Sequence, residues 1–103
     1  MKFVCLVYAD DAVMPAADMP ARAGIACLAR QSLYGTDTAT TLRVRNGRLS
    51  LADGPVVDTV PPLTRVFVID AVDEAAALAW AAALPDAANG SVEVRPVRDL
   101  LAE

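Results

Sequence analysis

An α+β fold is predicted for this chain, a ferredoxin-like split βαβ sheet with an inserted hairpin, and three observations predict it. Lys2 to Tyr8 and Arg65 to Ala71 are apolar at nearly every position and rich in β-formers, as interior strands are. Each run is followed by a stretch carrying helical signals. Between them Asn46-Gly47 interrupts an alternating pattern, and Asn-Gly is the preferred pair for a two-residue type I′ turn because both central positions need positive φ.

Taken in order, Lys2 to Tyr8 is the first strand, and Ala9 to Met19 is a loop with Asp10-Asp11 at its mouth and Pro15 within it. Asp18-Met19-Pro20 can start a helix, since Pro suits the first turn. Ile25 and Leu28, with the small Ala21 and Ala29, give that helix an apolar stripe to about Arg30, although Gly24 weakens its middle. Ser32 to Asp37 is a connection. Leu42 to Leu51 is the hairpin, and its turn sets the register: Arg45 opposes Arg48, Val44 opposes Leu49, Arg43 opposes Ser50, and Leu42 opposes Leu51. One face carries Leu42, Val44, Leu49 and Leu51, and the other Arg43, Arg45, Arg48 and Ser50.

Asp53-Gly54-Pro55 ends the hairpin in a sharp turn. Val56 to Thr59 is a short extended piece, and Pro61-Pro62 separates it from the second interior strand. Asp73 caps a helix from Glu74 to Leu84, with Val72 set to staple against Ala77. Its packing side is Ala77, Leu78, Trp80, Ala81 and Leu84, and Pro85 stops it. Ser91 to Val97 is the last strand, and Asp99 to Ala102 adds a helical turn. The order is β-α-β-β-β-α-β. Both helices would cover one face of the sheet and leave an apolar face open, which a second subunit packing sheet to sheet would cover.

Composition bounds the function. The chain has 103 residues, a single domain over 1–103, and 55% of them are hydrophobic. Aromatic residues make up only 5%, so the core is small and weak in bulky groups, a second argument for a homodimer. A net charge of −4 offers no basic footprint for nucleic acid. No apolar run approaches the roughly 20 residues of a membrane span, and the first run is too short and too soon stopped by acids to be a signal peptide. Cys5 and Cys27 lack metal-ligand spacing and sit in apolar company, which reads as buried free thiols in a cytoplasmic protein. No cofactor and no metal site is indicated.

Four pieces of the chain resemble the DGPF subgroup of the YCII-related proteins. They are Ala39 to Gly47 (ATTLRVRNG), Ala52 to Thr59 (ADGPVVDT), Ala79-Trp80-Ala81-Ala82, and Gly90 to Val97 (GSVEVRPV). Their order and spacing fit from about Ala39 to Val97, together with the opening strand and its Tyr8 and Asp10. The resemblance implies a dimeric α+β barrel of ferredoxin-like subunits, a mostly uncharacterised function, and a bacterial source often associated with sigma-factor genes. Three departures stand out. Val56 replaces the family's Phe, Thr59-Val60-Pro61 replaces its Thr-Lys-Glu run, and the region before the hairpin is shorter. Relatives are credited with a His-Asp pair, yet this chain contains no His, which excludes an imidazole base.

The residues with chemistry are therefore carboxylates, a phenol and a guanidinium. Asp53, beside the Gly-Pro turn, is a candidate base or ligand hook, against the reading that it ties down its own turn. Asp58 is placed to converge with it or to be a solvated loop acid. Asp10 and Tyr8 end a buried strand, where sheets often place sites, though Tyr8 also suits the core rim. Arg65 is suited to bidentate contact with an acidic ligand or to pairing with Asp53 or Asp58. Ser32, Cys5 and Cys27 have no base partner, so no nucleophilic triad is supported and no catalytic residue is assigned. The reading is a small-molecule-binding homodimer, with or without turnover, whose cleft lies beside the Asp-Gly-Pro turn. Its alternatives are a non-catalytic regulatory or interaction protein, or a degenerate paralogue that keeps only the dimer scaffold.

Overall fold

Alternation decides which way the first strand faces. In β1 (Lys2–Tyr8), Phe3, Cys5 and Val7 are fully buried while Val4, Leu6 and Tyr8 are half-buried. In β5 (Leu63–Asp70), Arg65, Phe67 and Ile69 point the same way as the buried set of β1. The structure is a computed structural model and describes residues 1–10, 20 and 22–98.

With β2 (Ala26–Ser32) and β6 (Ser91–Pro96), these strands form one sheet in the order β2-β5-β1-β6. Every neighbouring pair is antiparallel. Two helices follow β5: α1 (Glu74–Ala82), capped by Asp73, whose side chain accepts from the Ala76 N–H at 2.8 Å, and α2 (Pro85–Asn89). Ala77, Trp80, Ala81 and Leu84 pack onto the buried face of the sheet. Trp80 stands edge-on to Phe67, ring centres 5.4 Å apart, and its indole N–H donates to the Pro20 carbonyl at 3.1 Å.

The hairpin, β3 (Thr40–Arg45) and β4 (Arg48–Asp53), is a separate two-stranded sheet. Its register is the expected one, Arg45 against Arg48 through Leu42 against Leu51. Asn46 (φ 52°) and Gly47 (φ 74°) both take the left-handed backbone that a type I′ turn requires.

Several expectations are corrected. A helix reaching Arg30 does not form: Ala26–Ser32 is a strand on the edge beside β5. Gly24 explains the break, since at φ +81° it turns the chain rather than coiling it, and the Ile25 N–H closes back onto the Arg22 carbonyl. The expected start of that helix, Asp18 and Met19, lies outside the described residues, as do Asp11 and the turn at Asp99 to Ala102. The helix from Glu74 ends at Ala82, and Pro85 begins a second one rather than only stopping the first, because Pro is welcome where no N–H is needed. Leu78 faces outward, and Val72 is 78% exposed and so staples nothing. Val56 to Thr59 is not a strand: the chain bends at Val56 and Val57.

Cys5 and Cys27 are both free. Burial, with a smaller contribution from Cys27, pushes the Cys5 thiol up to about 11, so it stays protonated and unreactive at neutral pH. Cys27 is half-buried rather than fully buried. Among the described residues no helix is long and apolar enough to cross a membrane.

Candidate functional site

At the end of β1 the ladder slips. Val7 pairs with Arg65 and Tyr8 with Leu63, a shift of register between Val7 and Tyr8. An irregularity of this kind re-aims the side chain beyond it. Tyr8 and Leu63 together form one wall of a cavity of about 280 Å³, whose other lining residues are Thr36, Pro55, Val57 and Thr59.

Pro55 belongs to the Asp53-Gly54-Pro55 turn, which the hairpin base holds in place. The Gly54 N–H donates to the Ala39 carbonyl at 2.8 Å, and the Thr41 hydroxyl donates to the Gly54 carbonyl at 2.7 Å. Thr41 is buried, which makes this second bond a firm tie between the hairpin base and the turn. Thr36 opens a short 3₁₀ turn (Thr36–Thr38) held by the Thr38 N–H and hydroxyl, both donating to the Gly35 carbonyl at 2.9 and 2.7 Å. Three of the lining residues are aliphatic, Pro55, Val57 and Leu63, and three carry a hydroxyl, Tyr8, Thr36 and Thr59, while the surface they present to the cavity is mainly apolar. These six residues include no carboxylate, ammonium or guanidinium. Binding pockets typically combine apolar walls with a few placed polar groups, and this one lies just below the roughly 300 Å³ at which their usual range begins.

Of the site residues expected from sequence, Tyr8 is the one among these six. Its hydroxyl donates to Glu93 Oε1 at 3.5 Å, a long and exposed contact. Asp53, Asp58 and Asp10 are all exposed, each one or two residues along the chain from a lining residue. Arg65 is buried and pairs with Asp86, Nη1 to Oδ2 at 2.7 Å, their side chains only 9% and 8% exposed. This bond joins β5 to α2, where the sequence suggested Asp53 or Asp58 as the partner. Thr36 and Thr59 also escape sequence reasoning, since isolated hydroxyls in loops give no signal by type or spacing. Glu93 was not singled out from sequence either; its alternation with Val92 and Val94 is the signal that puts it on the outer face of the sheet with Tyr8.

Among the described residues, no three His, Cys, Asp or Glu side chains are grouped to hold a metal ion.

Gly90 supports this corner from behind. A methyl group there would overlap the Tyr8 carbonyl oxygen and come within 3.1 Å of the Ala9 Cα and Cβ. Because the closest of these are backbone atoms next to the cavity wall, the strand end must move to admit it. Gly90→Ala is expected to destabilise the fold by about 1–3 kcal/mol and to shift Tyr8. Urea denaturation and the change in Tyr8 ring NMR shifts check this; unchanged stability and unchanged shifts would contradict it.

Compared with known proteins, residues 1–101 match the family model of the YCII-related domain. No curated protein matches the chain.

Proposed function

The chain belongs to the YCII-related domain family, and from that premise we propose that it is a homodimer that binds a small uncharged molecule in the cavity of Tyr8, Thr36, Pro55, Val57, Thr59 and Leu63. The observation that carries this reading is the lining itself. Aliphatic walls suit an apolar body, and three hydroxyls can give or accept hydrogen bonds from an alcohol, ketone or lactone group. A charged ligand would find no counter-charge in that lining and would remain unpaired. Asp10, Asp53 and Asp58 then belong to the rim, where they would repel anions, and Arg65 belongs to the support behind β5 through Asp86.

The dimer is supported by the sheet. Val4 and Leu6 of β1 and Val66 and Val68 of β5 lie on the face turned away from the helices and are only half-buried in one copy. The molecule is a plate 48 × 39 × 18 Å, about two layers deep. The antiparallel order β2-β5-β1-β6 fits a ferredoxin-like subunit interrupted by the β3–β4 hairpin, and two such sheets meeting face to face would make the dimeric α+β barrel.

A screen of uncharged cyclic alcohols, ketones and lactones by thermal shift tests the cavity. Val57→Trp, which fills it, is expected to abolish the stabilisation given by each hit, and Tyr8→Phe to reduce affinity about tenfold, the effect of one lost hydrogen bond. Hits that stabilise the wild type and Val57→Trp equally would place binding elsewhere and overturn the reading.

A further inference from the structure

The β3–β4 hairpin leaves one face of aliphatic side chains in the open. Leu42, Val44, Leu49 and Leu51 are 59%, 54%, 60% and 63% exposed, and the register brings Leu42 against Leu51 and Val44 against Leu49. The four form one continuous apolar ribbon, the kind of patch that marks an interaction site on a soluble protein. The hairpin packs chiefly on itself, its base closed by the bond from the Thr41 hydroxyl to the Gly54 carbonyl. A lone two-stranded hairpin is marginal in water, so a partner surface is what would keep this one ordered. The shape agrees: the radius of gyration is 15.7 Å, where a compact chain of this length would have about 13 Å.

We infer that this hairpin is an arm received by a second copy of the same chain, which takes its apolar ribbon against its own surface. The inference rests on the dimer reading above and adds to it the segment that grips. Charge favours a second copy as the occupant. Leu42 to Leu51 carries three arginines and no acid, a net of +3 in a chain of net −4, so the remainder of each copy stands at −7. A basic arm on an acidic body is complementary to another acidic body. Arg45 faces Arg48 on the side of the hairpin opposite the ribbon, so this attraction draws the basic arm to the acidic body at long range and leaves the contact itself to the aliphatic side chains. In a two-fold dimer each copy gives one arm and receives one, so the contact closes without leaving an open end.

The test is the dimer dissociation constant by sedimentation velocity, for the wild type and for V44E/L49E. Glutamates at these positions keep the strand register and replace only the ribbon. The double variant is expected to dissociate at least roughly thirtyfold more readily, the loss typical of a strong interface residue, while far-UV circular dichroism stays that of the wild type. A dimeric wild type with an unchanged constant in the variant would overturn the arm and leave the dimer standing. A wild type that stays monomeric at every concentration would instead remove the dimer reading, and the arm with it. Should the double variant fail to fold, a photo-reactive phenylalanine at Leu49 in the otherwise native chain gives the second readout. A covalent two-copy product is expected, and its absence from a dimeric sample would overturn the proposal.

Discussion

Arg65→Met is expected to lower the unfolding free energy by about 3–5 kcal/mol, because it strands Asp86 as an uncompensated charge away from water. Both side chains are more than nine-tenths buried and meet at 2.7 Å, so neither can turn outward to be hydrated. Loss of that much stability is a large fraction of what a small domain has. Asp86→Leu should be similarly damaging, since it leaves the guanidinium behind. The double replacement R65M/D86L is the informative comparison. Two apolar groups of similar volume remove both desolvation penalties together, and stability should return to the wild-type value or exceed it. Urea titrations followed by Trp80 fluorescence measure all four proteins. A double variant as unstable as the singles would show that the pair contributes net stability, and that the packing of α2 on β5 depends on its charge.

Trp80→Ala is expected to remove about 3–5 kcal/mol as well, for an unrelated reason. Among the described residues Trp80 is the largest fully buried side chain, and the small alanines beside it in the core, Ala77 and Ala81, cannot fill its volume. Its removal also frees an edge of Phe67 and leaves the Pro20 carbonyl without the indole donor. Trp80→Phe separates the two contributions: it keeps most of the volume but not the N–H, and should lose about 1–3 kcal/mol. Equal loss in both variants, by thermal or urea denaturation, would mean that the hydrogen bond and not the packing dominates.

The parts of the fold written locally were the parts that could be read. Asn46-Gly47 dictates its own backbone, and the hairpin register comes from it residue by residue. Lys2 to Tyr8 and the run from Arg65 are apolar at nearly every position because both lie inside a sheet, and Asp73 caps its helix through its own side chain. The error came where the signal was shared. Ile25 and Leu28 suit the stripe of a helix, yet Gly24 turns the chain and β5 recruits Ala26–Ser32 as an edge strand, a tertiary effect that overrides local preference. The site was half legible for the same reason. Tyr8 and the Asp-Gly-Pro turn announce themselves, whereas Thr36 and Thr59 reach the cavity only through the path of the loops. Asp86 lies 21 residues from Arg65, and no local pattern links them.

The central place of β1 constrains how the chain can change length. It is laddered on both sides, to β5 and to β6, and its odd-numbered residues alone fill the interior. Adding or deleting one residue there would exchange Phe3, Cys5 and Val7 for their neighbours and put the wrong phase against two strands at once. An extra residue at the Asn46-Gly47 tip would disturb only the hairpin. Inherited insertions and deletions can therefore accumulate at the tip, while the strand from Lys2 to Tyr8 must be copied without a frame error.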